Sequence, residues 1–125
     1  MTLVNSFQDL EVWQVGRALR RRFYELSRRL PESERFNLFQ QIRRAGVSLT
    51  ANLAEGYGRY HFKENIQHCR VSRGSAYELL DHPVTCQDEG YIPSEEFESF
   101  QEDLMTFMRL INGYIRSIGK TGNGQ

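Results

Sequence analysis

Five polar side chains, Gln41, Arg44, Ser48, Asn52 and Glu55, recur at intervals of three and four residues. On a helix that spacing holds all five along one face. A guanidinium, a hydroxyl, two amides and a carboxylate in one row can form either a catalytic constellation or a network of satisfied polar groups between packed helices. If the following helix returns antiparallel about a turn near residue 59, Ser48 lies opposite Arg70, Arg44 opposite Gly74 and Gln41 opposite Glu78. Arg73, Ser75, Tyr77 and Glu78 then face the row. Arg44 with Glu78, and Glu55 with Arg59 or Arg73, are the expected ion pairs, and a network that fixes helix register is the expected role.

Metal and nucleophile chemistry fit the spacing less well. A carboxylate-bridged di-iron bundle needs Glu-x-x-His on two different helices, whereas Glu64 with His68 and Glu78 with His82 are each four apart and fall on one helical segment. His82 and Cys86 share a face but supply only two ligands. Cys69 lacks a base, because His68 points about 100° away from it on a helix. Gly119-Lys120-Thr121 echoes a phosphate loop, yet Tyr114 stands where the first glycine is required and no strand precedes it. No catalytic residue, metal ligand or cofactor site is expected.

Arginine is the remaining chemistry. Of 16 basic residues 14 are arginine, and nine of these lie between Arg17 and Arg44 against three acids, Glu25, Glu32 and Glu34. Trp13, Arg17, Arg20, Arg21, Tyr24, Arg28 and Arg43 are the candidate interface, since arginine with interleaved aromatics suits phosphate contact and base stacking. From Asp81 to Asp103 there are eight acids and no Lys or Arg. Segregated charge of this kind equally suits a contact between subunits, in which the arginines meet Glu95, Glu96, Glu98, Glu102 and Asp103 of a neighbouring copy. A plain solvated face is the third reading.

Four segments must carry these residues. Val12, Val15, Leu19, Phe23, Leu26 and Leu30 lie on one face of a first helix that opens near Ser6 and ends at Pro31. A second, capped by Ser33, carries Leu38, Ile42, Ala45, Leu49 and Leu53 to Gly56. A third runs from Phe62 through Ile66, Cys69, Tyr77, Leu80 and Val84 to Gly90. Its Gly74 predicts a close helix contact and its Pro83 a kink or an early end. A fourth opens at Pro93 or Ser94 and carries Phe97, Phe100, Leu104, Met108, Ile111, Ile115 and Ile118. Short connections make an up-down-up-down four-helix bundle of one domain, residues 1–118, with a flexible tail, 119–125. Second stripes, Phe36, Val47, Ala51 and Ala54 on the second helix and Leu10, Trp13 and Tyr24 on the first, point to self-association.

At 125 residues and 39% hydrophobic, the chain is one domain able to close a core. The 16 basic and 16 acidic residues cancel overall, but residues 1–60 hold ten basic against six acidic, and residues 61–125 six against ten. Two cysteines, the lack of a basic and apolar start, and the absence of a long apolar run predict a cytoplasmic, reduced protein with no membrane partner.

The stretch from Gln41 to Arg59, which includes Arg44-Ala45-Gly46-Val47-Ser48 and Ala51-Asn52-Leu53-Ala54-Glu55-Gly56, resembles the signature of the four-helix-bundle family encoded in intervening sequences of 23S rRNA genes. The likeness extends to Phe7 through Gln14, Pro31 to Glu34, Gly74-Ser75 and Glu78-Leu79, and departs at Pro83. It implies an up-and-down bundle assembled as a ring-like homopentamer, with no enzymatic activity and a role not yet defined for its members. The family is also similar to the accessory protein of diversity-generating retroelements, a pentameric barrel that contacts nucleic acid and works with a reverse transcriptase. The implied partners are therefore further copies of the chain, and RNA, DNA or a nucleic-acid-processing protein. A purely structural oligomer is the alternative, and a hydrolase using His68 or Glu78 the remaining class.

Overall fold

The computed structural model describes residues 6–123, which form four long helices and two short 3-10 turns with no strand among them. Helix α1 spans Glu11–Arg28, α2 Leu38–Tyr57, α3 Phe62–Asp88 and α4 Ser94–Asn123. Ser6 caps a 3-10 turn at Phe7–Asp9, in a capping box with Asp9, rather than α1 itself. A second turn, Glu32–Glu34, follows Pro31 and delays α2 to Leu38, so Asn37 rather than Ser33 occupies the cap position. Phe36 consequently lies before α2 and not on its outer stripe. At the other end α4 runs past Ile118 into the segment expected to be a flexible tail; Gly124 and Gln125 lie outside the described residues.

Contacts between helices run antiparallel around the bundle. Arg20 meets Thr50 and Arg43 meets Ser27 between α1 and α2, Ser72 meets Leu49 between α2 and α3, Asn65 meets Tyr114 between α3 and α4, and Arg22 meets Asp103 between α4 and α1. Phe23, Phe100 and Phe107 are the largest fully buried side chains, with the Phe23 and Phe100 ring centroids 4.6 Å apart. Burial of each ring contributes about 1.5–3 kcal/mol. Ile42, Leu49 and Leu53 from α2 and Leu104 and Ile111 from α4 complete the centre. On α1, Gly16 admits the Phe107 ring, which would stand 3.1 Å from an added Cβ.

Helix α3 is where hydropathy misleads. Its buried face is Cys69, Ser72, Ala76, Leu79, His82, Pro83 and Cys86, whereas Tyr77 and Val84, expected in the core, are exposed. Pro83 neither ends the helix nor faces water. It lacks the N–H that would bond the Leu79 carbonyl, but its ring is buried in the core. Gly74 has open space where a Cβ would be, so the expected close contact is absent there. Instead α3 stops at Gly90, whose φ of 77° is the left-handed conformation. There Tyr91 N–H donates to the Cys86 carbonyl and Gly90 N–H to that of Gln87, at 2.7 and 3.0 Å, the paired bonds of a Schellman turn.

Candidate functional site

The polar row of α2 faces α3, one turn out of the expected register. Ser48 meets Ser75, not Arg70, and its Oγ accepts from Ser75 Oγ at 2.7 Å and from Asn52 Nδ2 at 2.9 Å. Asn52 Oδ1 lies 3.1 Å from His68 Nδ1; because that oxygen only accepts, Nδ1 carries the proton. Deeper in the seam Ser72 Oγ donates to the Leu49 carbonyl at 2.7 Å. Gly56 sets how closely the helices approach: an added Cβ would sit 2.6 Å from Asn65 Oδ1 and 2.9 Å from His68 Cβ. Close approach, expected at Gly74, is therefore supplied by Gly56.

Other members of the expected network divide. Arg44 reaches Glu78 at 3.6 Å and Glu55 reaches Arg59 at 2.6 Å, both in the open. Glu78 is 38% exposed, so it is not the buried partner its position suggested, and its Oε2 also lies 3.2 Å from Nε2 of the buried His82. Gln41 bonds Asn37 on its own helix end, and Arg73 turns to Asn112 of α4 at 2.8 Å, away from the row. Asn65, His68 and Ser72 belong to the seam but not to the expected set. Among the described residues every buried side-chain N or O atom is hydrogen-bonded.

The side chains of this seam that could move a proton are already engaged with one another. Ser48 is bonded to Ser75 and Asn52, and His68 is turned to an amide. Burial pushes the thiols of Cys69 and Cys86 up to about 11, so at neutral pH both are protonated and poorly nucleophilic. Among the described residues no three His, Cys, Asp or Glu side chains are grouped to hold a metal ion, and no helix is long and apolar enough to cross a membrane.

The candidate interface on α1 separates into bound and free arginines. Arg43 Nε donates to Ser27 Oγ at 2.9 Å, and its guanidinium carbon lies 4.3 Å from the Tyr24 ring centroid and 4.4 Å from that of Phe39. Arg20 donates to Thr50 Oγ1 at 2.9 Å. Both therefore tie α1 to α2. Trp13 is half-buried, packed edge-to-face with Phe7 at a centroid separation of 5.4 Å, and Arg17 lies over its ring at 5.9 Å. Arg17, Arg21 and Arg28 are exposed and make no ion pair among the described residues.

Two arginines outside the expected set join part of the segregated charge within the chain. Arg22 pairs with Asp103 at 2.7 Å and covers the Phe100 ring at 4.1 Å. Arg29 pairs with Glu96 and, at 3.2 Å, with Glu25; the hydrogen bond to Glu96 is the main cause of its raised pKa. The basic and acidic stretches thus meet within one chain, along the α1–α4 seam. Helical spacing could not reveal this, because it is silent on which helices are neighbours. Beside these pairs a groove of about 410 Å³ is lined by Arg21, Arg22, Arg28 and Arg29 with Glu25 and Glu96.

A family model described as 23S rRNA-intervening sequence protein matches residues 8–113, from the capping turn before α1 to two-thirds of the way along α4. No curated protein matches the chain.

Proposed function

Because the chain belongs to the 23S rRNA-intervening sequence protein family, we propose that it is a non-enzymatic, self-assembling helical bundle that accompanies nucleic acid. One observation carries the nucleic-acid half of this reading. After the acids of α4 have neutralised Arg22 and Arg29, Arg17, Arg21 and Arg28 remain exposed and unpaired among the described residues, along one flank of α1. Guanidinium groups left free in a chain of zero net charge give a local positive face without strong long-range attraction. Phosphodiester is the ligand such a face suits. Binding to structured RNA, duplex and single strands is measured by fluorescence anisotropy at low ionic strength. We expect an affinity that falls steeply with added salt, as counterion release requires, and that is lost on reversing Arg17, Arg21 and Arg28 to Glu. No association with any of the three would overturn this reading.

Self-assembly, in the ring-like homopentamer that the family resemblance implies, rests on a different surface. Val47 and Ala51 on α2 and Val71 on α3 are exposed and lie outside the arginine flank. Of the acids that could pair with a neighbour's arginines, Glu96 and Asp103 are engaged within the chain while Glu95, Glu98 and Glu102 are exposed, so the apolar faces are taken as the main subunit contact and charge pairing as the alternative. Val47→Glu with Val71→Glu should reduce the mass measured by light scattering to that of the monomer. Reversing Arg17 and Arg21 should leave it unchanged.

A further inference from the structure

The free arginines lead to an exposed aromatic side chain. Arg21 and Arg28 line the α1–α4 groove, and Arg28 also lines a second cavity of about 330 Å³, shared with Arg35 and Phe39 at the corner where α1 gives way to α2. Arg28 thus joins the two. On α1 the seven residue steps from Arg21 to Arg28 rise about 10.5 Å, so the basic groups are strung out rather than clustered. At the far end Arg35 makes only an exposed contact of 3.5 Å with Glu32, and its guanidinium carbon lies 5.8 Å from the ring of Phe36. Glu34, the other acid of this turn, accepts from Tyr91 Oη at 2.8 Å.

Phe36 is 81% exposed. It precedes α2 and takes no part in the core. Each of the three rings has an arginine near it, Arg35 in the case of Phe36, but Trp13 and Tyr24, the aromatics that the sequence interleaves with arginine, are half-buried. By its exposure Phe36 is therefore the ring on this flank that keeps a face open to a planar ligand. An open aromatic face at the end of a line of guanidinium groups is the arrangement that holds unpaired nucleotides, with phosphates on the cations and a base on the ring. A base inside a duplex is stacked on its neighbours and cannot reach such a ring.

We infer that the Arg21, Arg28 and Arg35 track, ending at Phe36, takes a single-stranded segment of nucleic acid, with a base stacked on Phe36. This rests on the reading of the α1 flank as a nucleic-acid contact and adds the strandedness of the ligand. The phosphates are held at Arg21, Arg28 and Arg35, and the base contributes without sequence preference, since every base has a π-face.

Anisotropy with a labelled oligothymidylate, an abasic strand of the same length and a duplex tests this. The oligothymidylate should bind tighter than either of the others. Phe36→Ala should lower its affinity roughly 5- to 100-fold while leaving the salt slope and the binding of the abasic strand unchanged. Arg28→Ala should reduce the magnitude of the slope by about 0.7 for a single strand. Tyr60→Ala serves as control: Tyr60 is 93% exposed but stands in the α2–α3 turn at the opposite end of the bundle, and its loss should change nothing. Equal affinity for duplex and oligothymidylate, equal affinity for the abasic strand, or a Phe36→Ala protein that binds as well as the parent would each overturn the inference while leaving nucleic-acid binding standing. If Phe36→Ala changes only the mass measured by light scattering, Phe36 is a subunit contact and the inference falls. Failure to bind any strand would remove the underlying reading as well.

Discussion

The α2–α3 seam and the α1 flank are both rich in polar side chains, and they solve opposite problems. In the seam the groups are short and mostly neutral: Ser48, Asn52, Ser72 and Ser75 with His68, bonded to one another and to a backbone carbonyl at 2.7–3.1 Å. On the flank they are long and cationic, and only those facing α4 have found carboxylates. A neutral network in a partly dry seam avoids the desolvation of charge and fixes one register. A row of unpaired guanidinium groups does nothing for register and is free to meet a ligand. The stretch from Gln41 to Arg59 that carries the resemblance lies over the seam, while the surface proposed to meet a partner lies on another helix; both fall within the residues that the family model matches.

If that contrast holds, the seam should be intolerant of volume and the flank indifferent to it. Gly56→Val is expected to cost about 3 kcal/mol, because its Cβ would press on Asn65 and His68, with the Asn65 backbone oxygen at 3.1 Å. Gly74→Ala on the same pair of helices should stabilise by about 0.5–1 kcal/mol, since that site is open and alanine favours helix. Urea unfolding of the two variants measures both. An equal loss at the two glycines would mean that the closeness of the seam is not what Gly56 secures.

The dryness behind the seam gives a smaller, pH-dependent effect. Cys69 and Cys86 have folded-state pKa values of about 11 against 9.0 for the free thiol, in both cases mainly through burial. Their raised values mean that the protonated form is favoured in the folded chain, so the contribution is fully present below pH 9. It is lost as pH rises towards 11, because the unfolded chain ionises first. Between pH 8 and pH 10 each thiol should account for about 1 kcal/mol of lost stability, and Cys69→Ala should abolish its share. A stability that stays flat over this interval in the parent protein would show that water reaches the thiols.

Much of this architecture is legible in the sequence, and the exceptions share a cause. The stripes of α1 and α4 are read correctly because Leu19, Phe23, Leu104 and Ile111 are large, apolar and buried. Helix α3 is read out of phase because its buried positions are filled by Ser72, Ala76, His82 and Pro83, while Tyr77 and Val84 point outward; hydropathy ranks the wrong set. The seam is placed on the right helices but a turn out of step: Gly56 does stand at the end of α2, one residue before Tyr57, but nothing in the sequence shows that it is also the contact point with Asn65 and His68. On the flank, arginine count is visible and arginine availability is not. Arg20 and Arg43 are consumed by Thr50 and Ser27, two small buried hydroxyls that carry no signal of their own. Phe36 falls on a helix stripe by spacing alone, because nothing in the sequence marks the extra 3-10 turn that displaces it.

The smallest predicted effect is the most discriminating, because Glu78 brings a charge to the edge of the α2–α3 seam. One carboxylate oxygen faces Arg44, 69% exposed, and the buried His82. Were the Arg44 pair a buried one, removing Glu78 would cost 3 kcal/mol or more; at this exposure and 3.6 Å the ion pair is worth less than about 1 kcal/mol and is screened by salt. The hydrogen bond to His82 runs to a side chain that is buried, so it is screened less than the Arg44 pair. Glu78→Ala removes both and should cost about 1 kcal/mol in urea unfolding. Glu78→Gln keeps an acceptor for His82 and loses only the charge, so it should cost less than about 0.5 kcal/mol and show little dependence on ionic strength. If the glutamine variant is as unstable as the alanine variant, and salt erases the difference from the parent, then charge stabilises this seam as it does the α1–α4 side, and the distinction between a neutral seam and a charged flank fails.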